Sequence, residues 1–177
     1  HPDLAPYGGC RLCVVEIEKM RGLPAACTTP ATDEMVVHTE TETINKVRRT
    51  ALELIMVNHP NECLICSRRT ERDACTPYEI CLRSVTITDR CILCSANGQC
   101  ELQKVVDYLG LFELRLPMAT RSFPVDTSHP FFDLDRNRCI LCARCVRTCN
   151  EVTGCGSLDL AYRGYSVKVA TFADKPF

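Results

Sequence analysis

Residues 59–103 read HPNECLICSRRTERDACTPYEICLRSVTITDRCILCSANGQCELQ. One histidine and seven cysteines stand in this stretch. The phrase C-x2-C occurs in it twice, at Cys63/Cys66 and at Cys91/Cys94. Cysteine is dense on either side as well, at Cys10, Cys13 and Cys27 upstream and at Cys139, Cys142, Cys145 and Cys149 downstream. In total 15 of 177 residues are cysteine, a level that signals either a disulfide scaffold or bound metal. The odd count, the tight C-x2-C pairs and the lack of a signal-peptide pattern argue against disulfides.

Charge excludes other classes. There are 21 basic and 22 acidic residues, a net charge of −1. Nucleic-acid binding needs a concentrated basic surface to displace counterions, and none is present. The Arg pairs at 48–49 and 68–69 read as solvated helix face or loop. No apolar run approaches the roughly 18 residues a membrane-spanning helix requires. No nucleotide-binding glycine motif and no acid–base or nucleophile constellation is visible, so the chain shows no catalytic site of its own.

Periodicity sets out an α+β organisation between the cysteine groups. CVVEIE (13–18) and MVVHT (35–39) are strand candidates. Residues 44–58 place Ile44, Val47, Ala51, Leu54 and Ile55 at helical spacing, with Pro60 as the stop. CELQKVVDYLG (100–110) predicts a short helix ending at Gly110. Residues 111–138 form a proline-punctuated connector, and 157–172 a hairpin turning at Arg163-Gly164. A chain this short cannot build three separate apolar cores, so inorganic groups are expected to supply much of the folding free energy.

The first group, Cys10, Cys13 and Cys27, has the spacing C-x2-C-x13-C. Three thiolates could hold zinc, or supply three of four ligands to a [2Fe–2S] cluster. Gly8 and Gly9 precede it and allow backbone to approach a bulky group. The last group, Cys139, Cys142, Cys145 and Cys149, has the bacterial ferredoxin spacing C-x2-C-x2-C-x3-C. In two-cluster ferredoxins the first three thiolates bind one [4Fe–4S] cluster and the fourth binds the other. A single cluster bound by all four is the alternative. Cys155 is left over and reads as a buried apolar cysteine.

HPDLAPYGGCRLCVVEIEKMRGLPAACTTPATDEMVVHT resembles the N-terminal ferredoxin-like domain of the complex I iron–sulfur subunit family. Related chains occur in NAD-linked formate dehydrogenases and hydrogenases. That family carries C-x10-C-x2-C-x13-C, so its first cysteine would fall just before residue 1. The resemblance extends to the opening stretch, where the family has H-x3-C-x2-C-x5-C followed by Glu-Leu-Gln around a His-ligated [4Fe–4S] cluster. His59, Cys63 and Cys66 match the first half, but Arg72 stands where the third cysteine belongs. Cys91, Cys94 and Cys100 with Glu101-Leu102-Gln103 match the second half. Between them lies an insertion at 67–90 with Cys75 and Cys81. One histidine and seven cysteines would serve two clusters. In the favoured partition His59, Cys91, Cys94 and Cys100 hold one, and Cys63, Cys66, Cys75 and Cys81 hold the inserted one. In the other, His59, Cys63, Cys66 and Cys100 are set against Cys75, Cys81, Cys91 and Cys94. A zinc site in the insertion is a third option.

The resemblance implies three domains. Residues 1–43 would be the [2Fe–2S] ferredoxin-like domain, lacking its N-terminus. Residues 44–115 would hold the His/Cys [4Fe–4S] domain. Residues 116–177 would be a bacterial ferredoxin-like domain lacking its C-terminal half. It also implies one [2Fe–2S] and three or four [4Fe–4S] clusters, in a hetero-oligomer. The chain would relay electrons between a flavin-bearing, NADH-oxidising subunit (or ferredoxin) and a terminal formate dehydrogenase or hydrogenase subunit. The alternatives are the relay region of a larger catalytic chain, such as an [FeFe]-hydrogenase or complex I subunit, and a zinc-binding scaffold. Cluster thiolates imply a reducing compartment, hence the cytoplasm.

Overall fold

The computed structural model describes residues 2–75, 77–78, 80–81, 90–119 and 121–176, with the side chains of 70, 72 and 73 also outside the description. Most of the insertion's second half therefore lies beyond it. Helix α1 runs over Glu42–Met56 and α2 over Glu101–Leu109. Thr41 caps α1: its Oγ1 accepts from the Ile44 amide at 3.2 Å and donates to Glu16 at 2.8 Å. The cap thus satisfies an orphan amide and ties the helix to the preceding domain. Ile44, Arg48, Leu52 and Met56, spaced by four, form its buried stripe. Helix α2 ends at Gly110, whose left-handed φ of 60° permits the C-cap geometry.

Leu52, Met56, Leu64, Leu102, Val106, Leu109 and Leu111 form one buried cluster between the helices. Each such side chain contributes about 1.5–3 kcal/mol when fully buried. Leu12, Cys91, Cys100 and Ile140 pack on its periphery. Those four residues come from all three cysteine-bearing regions, so each region packs at least one residue against this cluster.

The strands are short. β1 (Glu16–Ile17) pairs antiparallel with β2 (Val37–His38), Glu16 opposite His38. β3 (Asp159–Ala161) and β4 (Lys168–Ala170) form the predicted hairpin, with a 3-10 turn at Gly164–Ser166. Among the described residues, the connector carries one bridge, Asp126 to Leu134, and a 3-10 turn at Arg136–Arg138. Helix α3 spans Arg144–Arg147 and widens into a π-turn at Thr148–Val152.

The arginine pairs are not simply solvated. Arg48 and Arg69 are buried. Arg48 donates to the Val14 carbonyl at 3.0 Å. Arg69 pairs with Asp107 at 2.7 Å, donates to the Leu111 carbonyl, and lies 4.1 Å from the Phe112 ring centroid. Both are interior because buried backbone carbonyls, here of Val14 and Leu111, need donors, and arginine supplies a fork of them. Arg49 and Arg68 do reach the surface, at Leu109 and Glu71.

Candidate metal centres

The first centre is built by two facing loops. Val15 donates its amide to Pro24 and Ala26 donates to Cys13, both at 3.0 Å, which sets Cys13 beside Cys27. Burial opposes ionisation of Cys13, but hydrogen bonds from the amide and thiol of Cys27 outweigh it and lower the pKa. Cys27, as donor to Cys13, moves the other way. Cys10 lies within electrostatic reach of Cys27, and the Gly8 amide also faces that sulfur. Gly8 has φ 68° and Arg11 φ 56°. Such turns aim successive amides inward, toward an anionic group. Cys13 and Cys27 thus stand side by side, with Cys10 within electrostatic reach.

The third group is folded the same way. Leu141 and Ala143 both have left-handed φ, at 56° and 59°. Non-glycine residues hold that conformation only where the surroundings impose it. The turns fold Cys139, Cys142 and Cys145 close enough for the three sulfurs to act on one another electrostatically. The Leu141 amide faces the Cys139 sulfur at 3.4 Å. Burial raises the Cys139 and Cys145 thiols above their ordinary pKa. Cys149 points elsewhere. It is buried, 3.1 Å from Cys155 and 3.2 Å from the Ser157 hydroxyl.

Cys155 corrects the sequence reading, since it is exposed. Hydrogen bonds from Thr153, Cys149 and Ser157 lower its pKa to about 6. Gly154 and Gly156, both at positive φ, turn the chain outward around it. The flanking hydroxyls and glycines are the sequence signal for that turn.

The opening stretch is more intertwined than either partition. Asn61 is fully buried and donates to the Met56 carbonyl at 3.0 Å, anchoring the loop after α1. The His59 Nδ1–H donates to the Pro60 carbonyl at 2.6 Å. That bond fixes the tautomer with its lone pair on Nε2, the arrangement typical of a metal-binding imidazole. Cys63 accepts a hydrogen bond from the Cys91 thiol, which outweighs burial and lowers its pKa to about 6. Both partitions assign these two residues to different clusters, so their loops meet here. Cys66 and Cys75 both act on Arg68, itself held by Glu71. Cys100 stands at the N-cap position of α2 and Cys91 opens a 3-10 turn, both against the core. Cys81 is partly buried.

Two buried arginines that sequence reading passed over stand beside the candidate centres. Arg90 is buried and donates to the carbonyls of Tyr78 and Cys75 at 2.7 and 2.8 Å, stapling the insertion to Cys91. Arg121 lies near Cys139. A signal for Arg90 was available: Arg-Cys-Ile-Leu-Cys occurs at 90–94 and again at 138–142. Among the described residues, no three of His, Cys, Asp and Glu lie close enough to share one metal ion. A [4Fe–4S] cluster places each thiolate on its own iron and a [2Fe–2S] cluster two on each, so neither needs three ligands on one ion.

The centres adjoin. Arg144, paired with Glu101 at 2.6 Å, lies within the electrostatic reach of both Cys142 and Cys10. Among the described residues no helix is long and apolar enough to cross a membrane.

Three family models match along the chain. Residues 2–42 match a 2Fe-2S iron-sulfur cluster binding domain. Residues 48–71 match the NADH-ubiquinone oxidoreductase-G iron-sulfur binding region. Residues 129–177 match the NADH-quinone oxidoreductase subunit 3 ferredoxin-like domain. The G subunit of the NADH-quinone oxidoreductase of Mycobacterium tuberculosis is 35% identical over all of this chain and 19% of its own length. The HndD subunit of the NADP-reducing hydrogenase of Solidesulfovibrio fructosivorans is 33% identical over 91% of this chain and 23% of its own. A chain in the crystal structure of NAD+-reducing [NiFe]-hydrogenase in the H2-reduced state superposes with TM-score 0.72 and 29% identity. It covers 97% of this chain and 60% of the other. The chain thus spans about a fifth of the length of the curated relatives it matches.

Proposed function

We infer that this chain, which carries the iron–sulfur domains of the NADH-quinone oxidoreductase G-type subunit family, is a relay that passes single electrons through bound [2Fe–2S] and [4Fe–4S] clusters. The observation that carries the reading is the packing of all three cysteine-bearing regions on one core, with Arg144 facing thiols of two of them. Bound clusters supply one-electron oxidation and reduction; the chain supplies ligands, amides and charge that set their potentials. Cys10, Cys13 and Cys27 are the proposed [2Fe–2S] ligands. Cys139, Cys142 and Cys145 are proposed for a [4Fe–4S] cluster, and Cys149 for a second. His59 and the seven cysteines from Cys63 to Cys100 are proposed for two more.

The donor is proposed to be a flavin-bearing, NADH-oxidising subunit. The acceptor is proposed to be a hydrogenase or formate dehydrogenase site, on a partner or on a longer form of this chain. The names of the relatives support this, as subunits of a quinone reductase and of a hydrogenase. The test is anaerobic purification with iron, sulfide and zinc analysis, followed by EPR at successive potentials. Dithionite-bleachable absorbance and at least four distinct reduced centres are expected. Zinc in place of iron, with no bleachable absorbance, would sink the relay.

A further inference from the structure

Arg121 is 9% exposed. Its Nε and Nη1 are buried and meet no hydrogen-bond partner among the described residues. Arginine cannot shed its proton to escape that cost, and a buried charge without acceptors is strongly unfavourable. Other buried arginines in the chain reach acceptors: Arg48 a carbonyl, Arg69 and Arg136 a carbonyl and a carboxylate, Arg90 two carbonyls. Arg121 lines instead a cleft of about 250 Å³ shared with Gly9, Cys10, Cys139 and Leu141. Its charge acts on the Cys139 sulfur. The cleft lies where the first centre's loop meets the ferredoxin run.

We propose that Arg121 sets the reduction potential of the cluster held by Cys139, Cys142 and Cys145, through its buried charge and the unpartnered N–H groups it brings to the cleft beside Cys139. This rests on the reading of those three thiols as cluster ligands. Reduction adds negative charge, and a fixed cation in a poorly solvated cleft stabilises the reduced form. Hydrogen bonds to cluster sulfur act in the same direction. The residue acts on potential; it binds no iron.

The test uses the full chain, purified anaerobically, as wild type, Arg121→Gln and Arg121→Lys. Iron content and EPR-monitored midpoint potentials are measured for each. In Arg121→Gln the midpoint of the Cys139 centre should fall by about a tenfold change in its reduction equilibrium, which is 59 mV for one electron. Arg121→Lys keeps the charge but loses the planar fork, so its midpoint should lie between the two. The centres assigned to residues 59–100 should stay in place. The proposal is overturned by an unmoved midpoint in iron-replete Arg121→Gln, by an equal shift of every centre, or by loss of iron in both variants. A wild-type chain without iron would instead overturn the reading of the ligands.

Discussion

His59 differs from the thiols around it because a neutral imidazole leaves a cluster less negative than a fourth thiolate does. The bond from its Nδ1–H to Pro60 already commits the ring to presenting Nε2. His59→Cys should therefore keep the cluster but lower its midpoint potential, read by EPR-monitored titration. An unchanged potential would remove His59 from the ligand set. The ferredoxin spacing grouped Cys139, Cys142 and Cys145, and C-x2-C-x13-C grouped Cys10, Cys13 and Cys27; the fold sets Cys10 and Cys13 within electrostatic reach of Cys27, and the other three within reach of one another. The contact of Cys63 with Cys91 was not legible, because spacing describes neighbours along the chain and says nothing of how distant loops meet. Cys155 was misread because its type suggested burial, while the glycines on both sides governed its exposure.

At the scale of elements, both helices could be read from their ends. Pro60 lies just beyond the close of α1, and Gly110 closes α2. Their boundaries differ from the expected ones by only a residue or two, since caps are local chemistry. The burial of polar groups depended on partners far away in sequence. Glu53 is buried on α1 and its carboxylate is met by Arg115 at 2.9 Å, from beyond α2. Arg115→Met strands that carboxylate and should cost about 1–3 kcal/mol. That would appear as a fall of several degrees in the apparent melting temperature. Adding Glu53→Gln should recover part of the loss, and a fully additive pair would show that the two side chains are not coupled.

Across the whole molecule, strands of two or three residues and one small apolar cluster give little independent stability. Ligand binding at several loops must supply the remainder. Stripping iron with an anaerobic chelator should lower the far-UV CD melting temperature by more than about 10 °C. Retention of the original transition would show that the apolar core suffices alone. The sequence separates the cysteine groups because each carries its own spacing. Their packing on one apolar cluster through Leu12, Cys91, Cys100 and Ile140 was not legible, since it emerges only from the tertiary fold.

Arg147 joins chain segments that lie far apart in sequence. It donates to the Ala5 carbonyl at 2.8 Å, reaches over the Tyr7 ring, and is itself held by Glu151 at 2.6 Å. This clasp fastens the loop leading to Cys10 onto the helix that carries Cys145. Tunnelling between redox centres decays exponentially with the gap, so an average over a loose joint is dominated by its rare close approaches. A fastened joint gives every passage the same interval. In the proposed relay, the clasp at Arg147 would bear on the regularity of hopping as well as on the shape of the path.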